Sequence, residues 1–235
     1  AAEAPTDQYS GDLWGLYLAI EHPDGRFLNE HGLPDGNVYK IRSGSGDKKN
    51  QGPTQPVNSS DWSSFYRASA NLNSVAWWRT NFDLDSFYGF RAINRATSNV
   101  DLRDHTNYYM YHHADGPWHV VPWDLDMMWI SETHQGGTIR QRNSLNNSAI
   151  SLQFRNRCRE MLDLMCQDDG AAGGQIGQLI DEYAQMVNPT GQALTWADID
   201  ANMWNHHPRT RGNSSNHSGQ TNHKGNFYYT PYQDS

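Results

Sequence analysis

The feature that most constrains the fold is the stretch from residue 100 to residue 129, which reads VDLRDHTNYYMYHHADGPWHVVPWDLDMMW. It contains two short runs rich in Tyr, Trp and Val, 107–111 and 118–123, and a polar turn with Asp-Gly-Pro separates them. Short aromatic and β-branched runs on either side of such a turn predict a β-hairpin. Because a hairpin returns the chain to its starting point, we expect the residues that enter it to lie close to those that leave it.

Acidic and amide side chains stand at both ends of this predicted hairpin. Asp101, Asp104 and Asn107 precede or begin it, and Asp124 and Asp126 follow it. Crowded carboxylates repel one another unless a cation or a proton neutralises them. Mg2+ prefers oxygen ligands and usually takes one or two carboxylates together with substrate phosphates. The arrangement therefore indicates a divalent-metal site, with turn or helix capping as the alternative for any single acid.

The same residues resemble a known family. The blocks V-D-L-R-D-H-T-N-Y-Y-M-Y and P-W-D-L-D are similar to the signature of the CotH-type kinases, which are spore-coat-like atypical protein kinases. Further blocks resemble that family in the same order, namely L-W-G-L-Y-L-A-I-E at 13–21, D-G-N-V-Y-K at 35–40, F-R-A-I-N at 90–94 and the segment 155–164. The resemblance extends from about residue 10 to about residue 230.

The resemblance implies a kinase site and gives its residues roles. In kinases one Asp orients the acceptor hydroxyl, an Asn a few residues later binds metal, and a second Asp beyond a hairpin bridges Mg2+ to the phosphates. By position, Asp101 takes the catalytic role and Asn107 and Asp124 take the metal-binding roles, with Asp126 as a further candidate metal ligand. The implied cofactors are ATP and Mg2+ or Mn2+. The implied partner is a protein substrate, phosphorylated on Ser or Thr, of a coat or cell surface.

The nucleotide contacts implied by the resemblance lie near the start of the chain. The segment 13–21 corresponds to the strand that leads into the adenine-binding hinge, so Glu21 is a candidate nucleotide contact. Lys40 is the second candidate, with a surface lysine at the end of a strand as the alternative. The phosphate-covering strands and the anchoring lysine and glutamate of a kinase would precede this segment. We therefore expect a chain that lacks the N-terminal part of the small lobe and binds ATP weakly by itself.

The order of the remaining elements indicates the α+β class. Strands are predicted at 13–21 and 38–41, a short helix at 27–31, and helices at 60–69, 75–80, 84–95, 152–166, 175–187 and 196–204. Polar segments rich in Gly, Ser and Asn are predicted to be surface loops at 43–60, 131–148 and 206–224, the last being the most flexible. Strands followed by helices, a hairpin and more helices favour an α+β fold in a single domain of 235 residues. The resemblance implies the larger C-terminal lobe of a kinase-like fold, built around the central hairpin.

Charge and hydropathy exclude some classes of partner. The net charge is −8 and the pI is near 5.7, whereas nucleic-acid-binding domains normally carry a basic stripe, so no nucleic-acid partner is expected. The sequence has no run of about 18 apolar residues, so no membrane-spanning segment is predicted. The resemblance implies a location at a spore coat, at a cell surface or in secreted material.

Cysteine and tryptophan residues have structural explanations. Cys158 and Cys166 lie on one predicted helix about 12 Å apart, too far for a disulfide, and we expect two buried free thiols. Trp62, Trp77 and Trp78 are predicted to pack in the core, with a sugar-binding platform as the alternative. The histidines match neither zinc-finger spacing nor H-E-x-x-H, so a catalytic zinc is disfavoured.

Two other functional classes remain open beside a kinase. The first is a non-catalytic pseudokinase, or a structural or interaction module, that keeps the fold and its acids. The second is an Asp-rich, metal-dependent hydrolase of phosphate or sugar. The co-occurrence of Asp101, Asn107 and Asp124 favours the kinase, and the expected lack of the small-lobe start favours the non-catalytic module.

Overall fold

The computed structural model describes residues 16–42, 45–104, 106–114, 116–125, 127–128, 137, 139–166 and 174–203, without the side chains of residues 45 and 201–203. The helices are α1 (Gly25–Glu30), α2 (Ser60–Ala68), α3 (Val75–Asn81), α4 (Leu84–Ala96), a 3-10 helix (Arg140–Asn146), α5 (Ser148–Cys166), α6 (Gly174–Val187) and α7 (Trp196–Met203). The strands are β1 (Asn37–Arg42), β2 (Ser45–Asn50), β3 (Thr106–His112) and β4 (His119–Pro122). These elements form a mixed architecture with a small antiparallel sheet, which is compatible with the predicted α+β class. The described residues between 21 and 166 belong to one compact unit, and residues 16–20 and 174–203 belong to another.

The sheet has four strands in the order β2-β1-β3-β4, and all neighbours are antiparallel. β3 and β4 form the predicted hairpin, with Tyr108 paired to Pro122 and Tyr111 paired to His119. β2 contradicts the prediction of a loop across 43–60. Its sequence, SGDKKN, carries no apolar residue, so it gives no strand pattern. A strand at the edge of a sheet is hydrogen-bonded to one neighbour and is often polar. The neighbour in this case is β1.

The two faces of the sheet bury different clusters, as the alternation of side chains along a strand requires. One face contributes Tyr39, Ile41, Tyr108, Met110 and Val120 to the main core, together with aromatic side chains of α2, α3 and α4. The other face packs Val38, Tyr109 and Tyr111 against Leu28 of α1. Trp62 and Trp78 are buried in the main core, and Trp77 packs against it, so the prediction of core tryptophans is confirmed.

The 3-10 helix attaches the chain beyond the hairpin to the end of α2 and to the connection between α2 and α3. Its side chains and the next residue donate hydrogen bonds to backbone oxygens there: Arg140 Nη1 to Tyr66 O at 3.4 Å, Asn143 Nδ2 to Ser69 O at 3.2 Å, and Asn147 Nδ2 to Asn73 O at 3.0 Å. The predicted loop at 131–148 is therefore wrong for this part of the segment. Polar side chains that satisfy backbone oxygens of another element carry no hydrophobic periodicity, and a pattern search cannot find them.

Four further predictions concern the segment 13–21, the two cysteines, the segment 206–224 and membrane-spanning helices. The predicted strand at 13–21 is wrong for its described part, because residues 16–21 pair with no strand and Leu18 is 84% exposed. An apolar run becomes a strand only when a neighbouring strand is present to pair with it. Cys158 and Cys166 are both free thiols, but the prediction that both are buried is wrong, because Cys158 is partly buried and Cys166 is exposed. The segment predicted to be most flexible, 206–224, lies outside the described residues. None of the described helices is long and apolar enough to cross a membrane.

Asp61, in the first turn of α2, links this helix to the sheet. The N-cap residue of the helix is Ser59. Tyr39 donates its hydroxyl hydrogen to Asp61 Oδ1 at 2.6 Å, and Asn37 Nδ2 donates to Oδ2 at 2.9 Å. Burial by itself would raise the pKa of Asp61, but the nearby His112 ring and the bonds from Tyr39 and Asn37 outweigh it and lower that pKa to about 2. His112 Nδ1 lies 3.9 Å from Oδ2, which is longer than the usual hydrogen-bond distance.

We expect Asp61→Asn to lower the free energy of unfolding at pH 7 by roughly 2 kcal/mol, since the pKa of Asp61 lies about two units below its ordinary value. A carboxyl whose pKa is depressed by folding stabilises the fold above its unfolded pKa, near 4, and loses that contribution as the pH falls towards 2. The variant should therefore lose less stability than the wild type between pH 4 and pH 2. Urea unfolding at several pH values measures both effects. Asp47→Asn, which removes an exposed carboxylate paired with Lys49, is the matched control and should change little.

Candidate active site

The open end of the hairpin brings two loops together. Tyr108 of β3 pairs with Pro122 of β4, which leaves the residues before β3 and the residues after β4 at the same end of the sheet. The backbone N–H of Val100 donates to the backbone oxygen of Met127 at 3.3 Å across this end. The loop between α4 and β3 is therefore a neighbour of the loop that follows β4, as the hairpin prediction requires.

Asp101 of the first loop is in direct contact with Asn107 of β3. Asn107 Nδ2 donates to Asp101 Oδ2 at 2.6 Å and to the Asp101 backbone oxygen at 2.9 Å, while Thr106 Oγ1 donates to Asn107 Oδ1 at 2.8 Å. Asn107 is 7% exposed, so these bonds form largely away from water. The amide thus orients the Asp101 carboxylate, and one lone pair of its own Oδ1 is still available for a cation.

Strained backbone conformations concentrate at the same place. Within the described part of the chain, the non-glycine residues with positive φ are Ser98 at 52°, Asn107 at 70° and Asp124 at 58°. The left-handed conformation costs on the order of 1 kcal/mol, and Asn and Asp tolerate it better than most residues. Such outliers cluster at functional sites, where the surrounding structure holds them in place. Two of the three are residues that the sequence analysis predicts to be metal ligands.

The side chains at this end of the sheet include oxygen donors of the kind that a hard divalent cation binds. Asp124 is exposed, and Asp104 contributes an Oδ1 atom that is buried and accepts no hydrogen bond within the described residues. Amide and carboxylate oxygens are the ligands that Mg2+ takes, together with water and phosphate. Across the described residues, however, no group of three or more His, Cys, Asp or Glu side chains is placed to hold a metal. Asp126, the further predicted ligand, lies outside the described residues.

Lys40 lies beside the loop that carries Asp124. It sits on β1 opposite Tyr109 of β3, and its Nζ is 4.9 Å from the centroid of the Trp123 ring and 5.9 Å from that of Tyr109. A lysine at these distances from aromatic faces is held by cation–π attraction. The structure therefore places this predicted nucleotide contact against the residue that immediately precedes Asp124.

Glu21 has a different environment. Its Oε2 atom lies 2.8 Å from Nε2 of His31, just beyond α1, and the side chain is about half exposed. The next residue, His22, places its ring edge-on to Trp123 with 6.1 Å between ring centroids. Within the described residues, Glu21 is connected to the site through its neighbour in sequence, whereas Lys40 lies directly against Trp123.

Two buried amides behind Asp101 were missed by the sequence analysis. Asn99 Oδ1 accepts the backbone N–H of Asp101 at 2.9 Å, and Asn99 Nδ2 donates to Asn94 Oδ1 at 2.8 Å. Neither residue is charged or belongs to a recognised catalytic spacing. The signal available in the sequence was that Asn94 closes the block F-R-A-I-N at 90–94.

A polar cavity of about 450 Å³ lies away from this end of the sheet, between α4 and α5. Its lining residues are Asp85, Tyr88, Gln153, Asn156, Arg157 and Glu160. None of them was predicted to bind or react, and none is in contact with the loop of Asp101 through a described hydrogen bond. We therefore assign the chemistry to the hairpin end and not to this cavity.

Comparison with known proteins identifies a family. The model of a family described as CotH kinase protein matches residues 8–162 of the 235-residue chain, a range that includes both loops at the open end of the hairpin. No curated protein matches the chain.

Proposed function

Since the chain belongs to the CotH kinase protein family, we propose that it is a metal-dependent protein kinase domain with a kinase-like fold. It transfers the γ-phosphate of ATP to Ser or Thr of a coat or cell-surface protein. The observation that carries the proposal is the contact between Asn107 and Asp101 at the open end of the hairpin, beside the loop of Asp124. A catalytic Asp, a metal-binding Asn and a metal-binding Asp in this order are the parts that phosphoryl transfer requires.

In this proposal Asp101 positions the acceptor. Its Oδ2 atom is engaged by Asn107 at 2.6 Å, so Oδ1 is the oxygen we assign to the acceptor hydroxyl and its proton. Phosphoryl transfer needs little covalent help from the protein and depends on alignment and charge neutralisation. A carboxylate whose orientation is already fixed by a buried amide provides the alignment without further loss of side-chain freedom.

Asn107 Oδ1 and the Asp124 carboxylate are the groups we propose to hold Mg2+ or Mn2+, together with Asp126. A bound divalent cation would neutralise charge on the phosphates. The left-handed backbone of Asn107 and Asp124 sets the direction of the Cα–Cβ bond at both residues. Lys40 and Glu21 are our proposed nucleotide contacts, Lys40 from its position against Trp123.

Calorimetry and radiolabel transfer test the proposal on the full-length protein. We expect ATP to bind only when Mg2+ or Mn2+ is present, and label from [γ-32P]ATP to appear on Ser or Thr of the protein itself or of casein as a generic acceptor. Metal-dependent binding without transfer would support a non-catalytic module of the same family. Release of all the label as inorganic phosphate would support a hydrolase. Absence of binding with either metal would contradict the proposal.

A further inference from the structure

The end of α4 is hydrogen-bonded to the loop that carries Asp101. The helix ends at Ala96, with Thr97 as its C-cap residue, and Ser98 follows in the left-handed conformation at a φ of 52°. The backbone N–H of Asn99 donates to the Asn94 oxygen at 3.0 Å, and that of Ser98 donates to the Arg95 oxygen at 3.2 Å. This pair of bonds is a Schellman motif, in which Ser98 occupies the position usually held by glycine.

The side chains repeat the backbone connection. Asn99 Nδ2 donates to Asn94 Oδ1 at 2.8 Å, and Asn94 Nδ2 donates to the Phe90 backbone oxygen at 2.8 Å. Asn94 is 2% exposed and Asn99 is 1% exposed. Asn99 is therefore joined to α4 by both its backbone and its side chain, in an environment where water does not compete for the amides.

Asn99 also reaches forward to Asp101. Its Oδ1 atom accepts the Asp101 backbone N–H at 2.9 Å, the pattern of an Asx turn. The Asp101 carboxylate is held separately by Asn107. Asp101 is thus fixed at its backbone from the helix side and at its carboxylate from the strand side, and the helix-side contact depends on one amide oxygen.

We propose that Asn99 is a positioning residue for phosphoryl transfer, which sets the placement of the Asp101 backbone relative to α4 through Asn94. This proposal rests on the proposed kinase function. A displacement of a reacting group by about 1 Å is enough to slow catalysis on the order of 10²-fold. Losing the oxygen of Asn99 removes the bond that prevents such a displacement, while the contact between Asn107 and Asp101 is left intact. The effect should then fall on the rate of transfer and not on nucleotide binding.

Two substitutions of Asn99 by small residues separate the effect of its hydrogen bond to the Asp101 N–H from the effect of lost side-chain packing. Asn99→Ala removes the oxygen that accepts the Asp101 N–H, whereas Asn99→Ser leaves a hydroxyl that can accept it in the analogous serine turn. We expect Asn99→Ala to lower kcat on the order of 10²-fold with the KM for ATP within about threefold, and Asn99→Ser to recover a substantial part of the loss. Asn73→Ala removes an amide that bonds the Ala68 oxygen at the end of α2, and as a matched control it should leave kcat unchanged.

A double-mutant cycle distinguishes positioning from a general structural role. If Asn99 acts through Asp101, Asn99→Ala should have less than about a threefold effect on the residual transfer of an Asp101→Asn protein. An equal loss in both backgrounds, or a loss that follows the fraction of folded protein and is not restored by Asn99→Ser, would overturn the proposal.

Hydrogen exchange supplies a readout that does not depend on activity. In the protein without nucleotide, Asn99→Ala should increase the exchange rate of the Asp101 amide by at least tenfold and leave the amide of Tyr109 in β3 unchanged. If the wild type transfers no phosphate but this change is seen, the proposed kinase function fails while the hold of Asn99 on Asp101 stands. If the exchange rate at Asp101 does not change, Asn99 does not position that residue, whatever the activity of the protein.

Discussion

Asp124→Asn is expected to abolish the metal-dependent binding of ATP, with a loss of affinity of at least about 100-fold. A neutral amide is a much poorer ligand for Mg2+ than a carboxylate, because it lacks the charge that repays the dehydration of the cation. The substitution preserves shape, and Asn tolerates the left-handed backbone of this position, where φ is 58°, as well as Asp does. The loss therefore reports on charge at the metal and not on a change of loop conformation. Calorimetry with ATP, with and without Mg2+ or Mn2+, measures it.

The control for this substitution is Asp85→Asn, which makes the same chemical change at an exposed position in the first turn of α4. It should leave ATP binding unchanged. A third variant, Asp124→Gly, introduces a residue that adopts positive φ without steric cost. It should lose metal-dependent binding of ATP as fully as Asp124→Asn does. Full activity of Asp124→Asn would contradict the kinase assignment, because no other described carboxylate occupies the equivalent place after β4.

The central hairpin and most helices could be predicted because their signals are local. Aromatic runs on either side of Asp-Gly-Pro specify a hairpin, and apolar residues at helical spacing specify α4 over 84–96. Once the hairpin was predicted, the proximity of its two ends followed from geometry alone. The prediction that the two loops at this end are neighbours therefore needed no knowledge of the core.

The parts that could not be predicted depend on distant partners. β2 is polar throughout and exists because β1 offers it a backbone to pair with. Conversely, the apolar residues at 16–20 pair with no strand among the described residues and form no regular secondary structure. Asp61 lies at the start of α2, but its carboxylate accepts a hydrogen bond from Tyr39, which is distant in the chain. Propensity is a weak prior in such cases, because tertiary contacts decide which hydrogen bonds form.

The candidate site likewise contains residues that could be selected from the sequence and a residue that could not. Asp101, Asn107 and Asp124 could be selected from the sequence because charged and amide residues around a hairpin suggest a specific chemistry. Asn99 could not, because its importance depends on where α4 ends and on the left-handed Ser98 that turns the chain back toward the helix. A shift of one residue in the helix boundary would point the Asn99 side chain elsewhere, and boundaries are the least certain part of a sequence-based prediction.

Asp101→Asn is expected to lower phosphate transfer by about 10²–10⁴-fold and to leave ATP binding nearly intact. Asn107 presents an NH2 group to this position at 2.6 Å, so an asparagine at 101 must turn its own oxygen toward Asn107 to avoid two facing donors. Its NH2 group then faces the acceptor hydroxyl, where it can donate a hydrogen bond but cannot take the proton. The loop keeps its conformation, since the backbone contact from Asn99 does not involve the side chain of residue 101.

Radiolabel transfer at saturating ATP measures the rate of this variant, and calorimetry with ATP and Mg2+ measures its binding. The pairing with Asp124→Asn gives the sharper test, because the two substitutions are chemically identical and should fail in different ways: one retains the nucleotide and loses transfer, and the other loses the nucleotide. Equal loss of ATP binding in both variants would mean that Asp101 is a metal ligand and not the residue that orients the acceptor. Transfer reduced less than about threefold by Asp101→Asn would mean that the acceptor proton leaves by another route, since a general base normally contributes at least 10²-fold.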